Sequence, residues 1–265
     1  MVGDIVSQPA EGAEGMQGPA TVVAISNEIF NNNYETGQIS MTTFKNWYRQ
    51  AFCIQTGAGI LHLTSDGLSD SRPADSMVIN HMSPYLFTKT LLPLIESTAL
   101  HPGSDVRIVD VSSVAHRWVP NPRYDSLDAF NDDFANIWKP KTNLYGYTKL
   151  VNVLWTKELQ RSFNRANIPI LAMTIHPGNV MSVSDVWNDY KLGLFAVLHQ
   201  PIRWGYTPAW TAASRAIAED RRKYTGAYLV PFGVIEEASE NAWREDLAKD
   251  LLATTDAVLK QYDYA

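Results

Sequence analysis

The chain lacks several features that would commit it to a class. It has one cysteine, Cys53, in 265 residues, so an internal disulfide is excluded. Between Phe52 and Ile54 that thiol reads as buried and structural. Basic residues are scarce: 22 Lys and Arg against 28 Asp and Glu leave a formal charge of -6. A nucleic-acid partner would need a clustered basic face, and Arg221-Arg222-Lys223 reads only as a solvated helix end. No stretch reaches the roughly 18 consecutive apolar residues of a membrane span. The acidic, glycine-bearing start carries no basic-then-apolar leader, so a cytoplasmic location is expected.

What is present is the composition of a folded domain, with 45% hydrophobic and 19% charged residues. Residues 1–20 read as a flexible tail and 21–265 as a single domain. Short apolar runs at 21–25, 52–56, 106–113, 168–175 and 227–232 predict strands. Helical periodicity is expected over roughly 74–99, 143–166, 207–220 and 241–261. Strands that alternate with helices and are apolar throughout imply a mostly parallel α/β sheet covered on both faces. Ligands of such sheets bind outside the carboxyl ends of the strands. Two long segments, 114–143 and 179–205, leave those ends and are expected to wall a substrate site.

Tyr145 and Lys149 stand four apart on a predicted helix, hence on one face. A phenol beside an ammonium can exchange a proton. The pattern alone is weak, since Tyr85 and Lys89 repeat it. Context separates the two pairs. Before Tyr145 a strand ends in Ser112-Ser113, and after it another ends at the Pro177-Gly178 turn, so both place polar groups on the same sheet edge. Tyr85, among Leu86, Phe87, Leu91 and Leu92, reads as core or interface. His116 and His176 lack partners at metal-ligand spacing and read as structural, so no metal is expected. Asp110, Ser113 and His116 contain the residue types of a hydrolytic triad, but they crowd one strand end without the turn such a nucleophile needs. Trp118, Tyr124, Phe130, Trp138 and Trp187 either line an apolar pocket or anchor the long loops.

The ordered set "INH" (79–81), "RIVDVSS", "YGYTK" and "HPGNV" resembles the short-chain dehydrogenases/reductases. The longer stretches "VSSVAHRW", "TIHPGNV" and "TGAYLVPFG" resemble its retinol-dehydrogenase, WW-domain-oxidoreductase and protochlorophyllide-reductase-like branch, over residues 56–262. The resemblance implies a Rossmann-like sheet and a role for each matched residue. Tyr145 would be the general acid/base, Lys149 would lower its pKa and hold the nicotinamide ribose, and Ser113 would hold the substrate oxygen. Asn80 would hold a water in a proton relay. Pro177, Gly178, Val180 and Ser182 would line the nicotinamide, with Ser182 standing where threonine is common.

The family's phosphate cradle reads Thr-Gly-x-x-x-Gly-x-Gly, and "QTGAGIL" (55–61) does not fit it, because Leu61 and Leu63 occupy the later glycine positions. It matches instead a later family turn beside the cofactor, of which Ala58 and Gly59 remain. No cradle is recognisable upstream, so the sheet is expected to be incomplete at its N-terminal edge. Three readings follow. One is an NAD(P)-dependent oxidoreductase, with NADP favoured over NAD, that interconverts an alcohol and a carbonyl on a small apolar substrate. That would be a tailoring step in secondary or lipid metabolism. The second is a nucleotide-independent isomerase, dehydratase or cyclase using the same Tyr/Lys/Ser cleft, and the third is a non-catalytic partner-binding scaffold. The resemblance also implies a homodimer or homotetramer joined through the helices at 74–99 and 143–166.

Overall fold

The computed structural model describes residues 22–24, 51–56, 73–178 and 202–262. A six-stranded sheet runs in sequence order, from β1 (Val22–Ala24) and β2 (Ala51–Thr56) through β3 (Asp105–Val111) and β4 (Ile170–Ile175) to β5 (Tyr228–Val230) and β6 (Val234–Glu236). The first five strands pair in parallel, and β6 returns antiparallel to β5. The predicted strand at 227–232 is thus only half of a hairpin. Pro231, which has no amide hydrogen to give a ladder, and Gly233, at φ 77, turn the chain back at its tip. The strand expected at 106–113 ends at Val111; the Ser112 amide still donates to the Ile175 carbonyl of β4 at 2.8 Å, and Ser113 lies beyond it.

Period-two alternation splits the core between the two faces. On β3, Val106 and Ile108 face the helices α1 (Ser83–Ala99) and α2 (Pro140–Ala166), packing with Tyr85, Leu91, Ile95, Trp155 and Phe163. Val109 faces the other way, with Leu171, Met173 and Ile175 of β4, toward α3 (Ile202–Ala213). Arg107 shares that second face. Only 2% exposed, it is satisfied by the carbonyls of Thr211 and Ser214 at 2.9 and 2.8 Å and by Asp105. The helix expected at 207–220 starts earlier, at Ile202, and breaks after Ala213. The last helix, α4 (Glu245–Gln261), follows a separate 3-10 turn at Glu240–Trp243.

Tyr85 lies in the core, and its hydroxyl donates to Asp256 of α4 at 2.6 Å. His81 meets Thr255 of α4 at 2.9 Å, and Val258 and Leu259 of the same helix pack with Tyr85 and Trp155. Helix α4 therefore packs against both α1 and α2.

Candidate functional site

Registers across the sheet align Thr56, Asp110, Thr174 and Tyr228 in one row near the carboxyl ends of the strands. The site is built just beyond that row, where β3 meets α2. Helix α2 starts at Pro140, which needs no amide partner at a first-turn position. It then passes close under the 3-10 turn Val114–Trp118 because residue 146 is glycine. A Cβ there would collide with the Ala115 carbonyl and stand 3.2 Å from Val119 Cγ2. This close approach brings the Tyr145 phenol to the neighbourhood of the Ser113 hydroxyl, which favours its ionised form.

Hydrogen bonds from side chain to main chain fasten the strand end to the helix. Lys149 Nζ and Asn152 Nδ2 both donate to the Val111 carbonyl at 3.0 Å, and Ser112 Oγ donates to the Lys149 carbonyl at 2.7 Å. The Lys149 ammonium lies 5.8 Å from the centre of the Tyr145 ring. Asn80 Nδ2 donates to Thr148 Oγ1 at 3.0 Å, and that hydroxyl donates to the Tyr145 carbonyl at 2.9 Å. Asn80 sits in a π turn, Val78–Met82, whose origin is legible two residues further on. Pro84 has no N–H for the carbonyl four residues back, so the ladder widens and Ser83 N donates to Val78 O.

Burial sets the protonation of the site. It raises the Tyr145 phenol above its ordinary value, with the Ser113 hydroxyl opposing, and the Lys149 charge is not among the causes. Here desolvation of the phenol prevails, while the Lys149 ammonium 5.8 Å from the ring centre is engaged by the Val111 carbonyl. Lys149 is itself lowered to about 8 by burial, with the Asp110 carboxylate pulling the other way.

Of the predicted site residues, Ser113, Tyr145, Lys149 and Asn80 are brought together. Pro177 and Gly178, the latter at φ 103, follow β4 on the same edge. Gly59, Val180, Ser182 and Trp187 lie outside the described residues. Asp110, Thr148 and Asn152 were not singled out for these contacts; their signal was position, two residues before Ser112 or within the turns that flank Lys149. Tyr124 and Phe130, both 0% exposed, anchor the long loop, whereas Trp118 and Trp138 face solvent. Beneath that loop a polar cavity of about 360 Å³ is lined by Arg123, Asp132, Phe134 and Tyr147. It opens on the other side of α2 from Tyr145, since residues two apart on a helix point in nearly opposite directions. The hydrolytic triad is excluded by geometry, because His116 Nδ1 meets the Ser113 carbonyl at 2.6 Å and Nε2 meets the Ser239 amide.

A parallel sheet flanked by helices, with a serine, a tyrosine and a lysine gathered at its carboxyl edge, defines a Rossmann-like α/β protein of the dehydrogenase type. The chain is similar to short-chain dehydrogenases/reductases. It is 76% identical over 210 residues to a short-chain dehydrogenase/reductase of Armillaria gallica, covering 76% of this chain and 64% of that protein. It is 28% identical over 200 residues to one of Colletotrichum higginsianum, covering 70% of this chain and 48% of that protein. The chain thus spans about half to two thirds of the length of these relatives. A crystal structure of an uncharacterised Mycobacterium paratuberculosis protein shares the fold at TM-score 0.52 and 22% identity, over 82% of this chain and 70% of that one. No family model matches the chain. Among the described residues no helix is long and apolar enough to cross a membrane.

Proposed function

We propose that the protein is an NAD(P)-dependent oxidoreductase, with NADP preferred, that interconverts an alcohol and a carbonyl on a small apolar substrate in a tailoring step of secondary or lipid metabolism. The observation that carries this reading is the convergence of the Ser113 hydroxyl and the Tyr145 phenol at the sheet rim, with the Lys149 ammonium 5.8 Å from the centre of the phenol ring.

The residues present fit the nicotinamide end of such a cofactor. Lys149 and Tyr145 offer donors to a ribose, and the turn at Pro177-Gly178 gives backbone a close approach on the same edge. When bound, the nicotinamide supplies or accepts the hydride. The chain's own groups manage the proton. Ser113 holds the substrate oxygen. Tyr145, kept protonated near neutral pH by its raised pKa, delivers its proton to that oxygen in the reductive direction. The phenolate left behind is countered by the neighbouring ammonium, and Asn80 holds the relay water that restores the proton. The reverse direction requires a deprotonated phenol, so oxidation should quicken as pH rises.

The test is a fluorescence titration with NADPH and with NADH, followed by nucleotide oxidation against a panel of apolar aldehydes and ketones. Tyr145→Phe should still bind nucleotide, somewhat more weakly for the lost ribose donor, and lose about two orders of magnitude or more in turnover. Absence of any saturable fluorescence change at high micromolar protein refutes the redox reading. Conversion of a substrate by nucleotide-stripped protein would favour acid–base chemistry alone.

A further inference from the structure

We propose that His116 is a positioning residue for Ser113, held as the neutral Nδ1–H tautomer and tying the catalytic strand end to the segment that follows β6. The inference rests on the oxidoreductase reading only for its effect on turnover; the tautomer stands on geometry.

The ring is 0% exposed and both of its nitrogens are engaged. Nε2 lies 3.0 Å from the Ser239 amide nitrogen, which can only donate, so Nε2 must accept. The single ring proton therefore sits on Nδ1 and is donated to the Ser113 carbonyl at 2.6 Å. A second proton would set one N–H against another, and burial accordingly lowers this imidazole to about 4. The charged groups around it are Arg117, which pairs with Glu236, together with His176 and Glu236 itself. One face of the ring rests on Tyr228, with centroids 4.9 Å apart.

The consequence falls on Ser113. Its carbonyl takes the His116 ring proton and also the His116 amide at 3.2 Å, while its hydroxyl accepts from the Ala115 amide at 3.3 Å and meets Tyr145. Fixing the carbonyl fixes the peptide plane next to the side chain that holds the substrate oxygen. The other end of the link lies 123 residues away in sequence, so the segment around Ser239 enters the geometry of the site without touching substrate.

Two isosteric substitutions separate the halves of the link. In His116→Asn the side-chain amide can take the place of Nδ1 and keep the bond to Ser113. In His116→Gln the side-chain oxygen can take the place of Nε2 and keep the bond to Ser239. Both should lower the melting temperature by a similar amount. His116→Gln should lose about ten- to a hundredfold in kcat with nucleotide KM unchanged, whereas His116→Asn should stay within about threefold of the parent. Equal losses of kcat that follow the melting temperature, or a Gln variant more active than the Asn one, would overturn the proposal. Nitrogen-15 spectra of the parent's imidazoles near pH 7 should show a protonated Nδ1 and a bare Nε2 for His116, and the opposite tautomer also overturns it. If the parent turns over none of the carbonyls, the oxidoreductase reading fails by itself. Amide exchange at Ala115 and His116 then decides: faster in the Gln than in the Asn variant supports the link, and equal rates refute it.

Discussion

Replacing Asp110 by Asn and Lys149 by Met together asks whether the buried ammonium is retained for chemistry against the interest of stability. Lys149 is 1% exposed, and burial holds its pKa at about 8 against an ordinary 10.5. A gap of that size corresponds to about 3 kcal/mol against the charged form near neutral pH, at about 1.36 kcal/mol per pH unit. Methionine keeps most of the stem's volume and asparagine keeps the shape of aspartate, so the double variant should match the parent's stability near pH 7 or exceed it by a few kcal/mol. Lys149→Met alone leaves the Asp110 charge buried beside a thioether and should cost about 3 kcal/mol. The sign with pH follows from the depressed value. Between about 8 and 10.5 the unfolded chain still holds a proton that the folded protein has lost, so the lysine's penalty is full below pH 8 and fades as pH rises. Parent stability should therefore gain about 2 kcal/mol from this group between pH 7 and pH 9.5, a gain that the double variant lacks. Urea unfolding at the two pH values measures both curves. A double variant several kcal/mol less stable at both, with no narrowing of the difference, would refute the reasoning and make the ammonium a stabilising element.

The remaining predictions concern the groups around this pair. Gly146→Ala should cost about 1–3 kcal/mol, because its methyl group meets the Ala115 carbonyl and Val119. Its turnover should fall further than melting alone explains, since Tyr145 is moved from Ser113, and unchanged activity at lowered stability would contradict this role. Two buried imidazoles have folded values below the ordinary 6.5, His81 at about 3 and His116 at about 4. Their contribution to stability is present above 6.5 and lost as pH falls below it, by about 2 kcal/mol each at pH 5. His81→Gln should remove about half of that slope in acid unfolding curves. Pro84→Ala restores an amide donor to the ladder behind Asn80, and should straighten the π turn and break the Asn80–Thr148 bond. Turnover should drop without loss of melting temperature; a retained bond in the variant's crystal structure would show that proline is not the cause of the turn.

The parallel core strands were legible because burial on both faces writes an unbroken apolar run, as in "RIVDV" and "ILAMTI". Ser113 was legible at a strand end and Tyr145 with Lys149 by their spacing on one helix face, whereas Asn80 was expected only from the family resemblance. The return strand β6 was not, since its residues Val234, Ile235 and Glu236 are exposed and alternate nothing against a core. The coverage of α1 by α4 was hidden as well. A tyrosine that donates to Asp256 from 171 residues away has the same local sequence as one at an interface. Protonation was the least legible property. Spacing places an ammonium near a phenol, but whether charge or desolvation prevails depends on how much water the surrounding helices exclude, and here the phenol is raised.

That balance explains why so many contacts of the site end on main-chain carbonyls. The Val111 carbonyl takes Lys149 and Asn152, the Lys149 carbonyl takes Ser112, and the Ser113 carbonyl takes His116. A carbonyl dipole satisfies a buried donor without adding a second charge whose desolvation must also be offset. It also cannot swing to another rotamer, so it fixes its donor's position to that of the backbone. Asp110 is the exception, a carboxylate that keeps the ammonium from losing its proton altogether. The strand end and the helix are thus joined by bonds to main-chain carbonyls, with one charge pair, Asp110 and Lys149, beside them. Ser113 and Tyr145 remain half-buried at the rim, where the proposed reaction would need them accessible to a substrate oxygen.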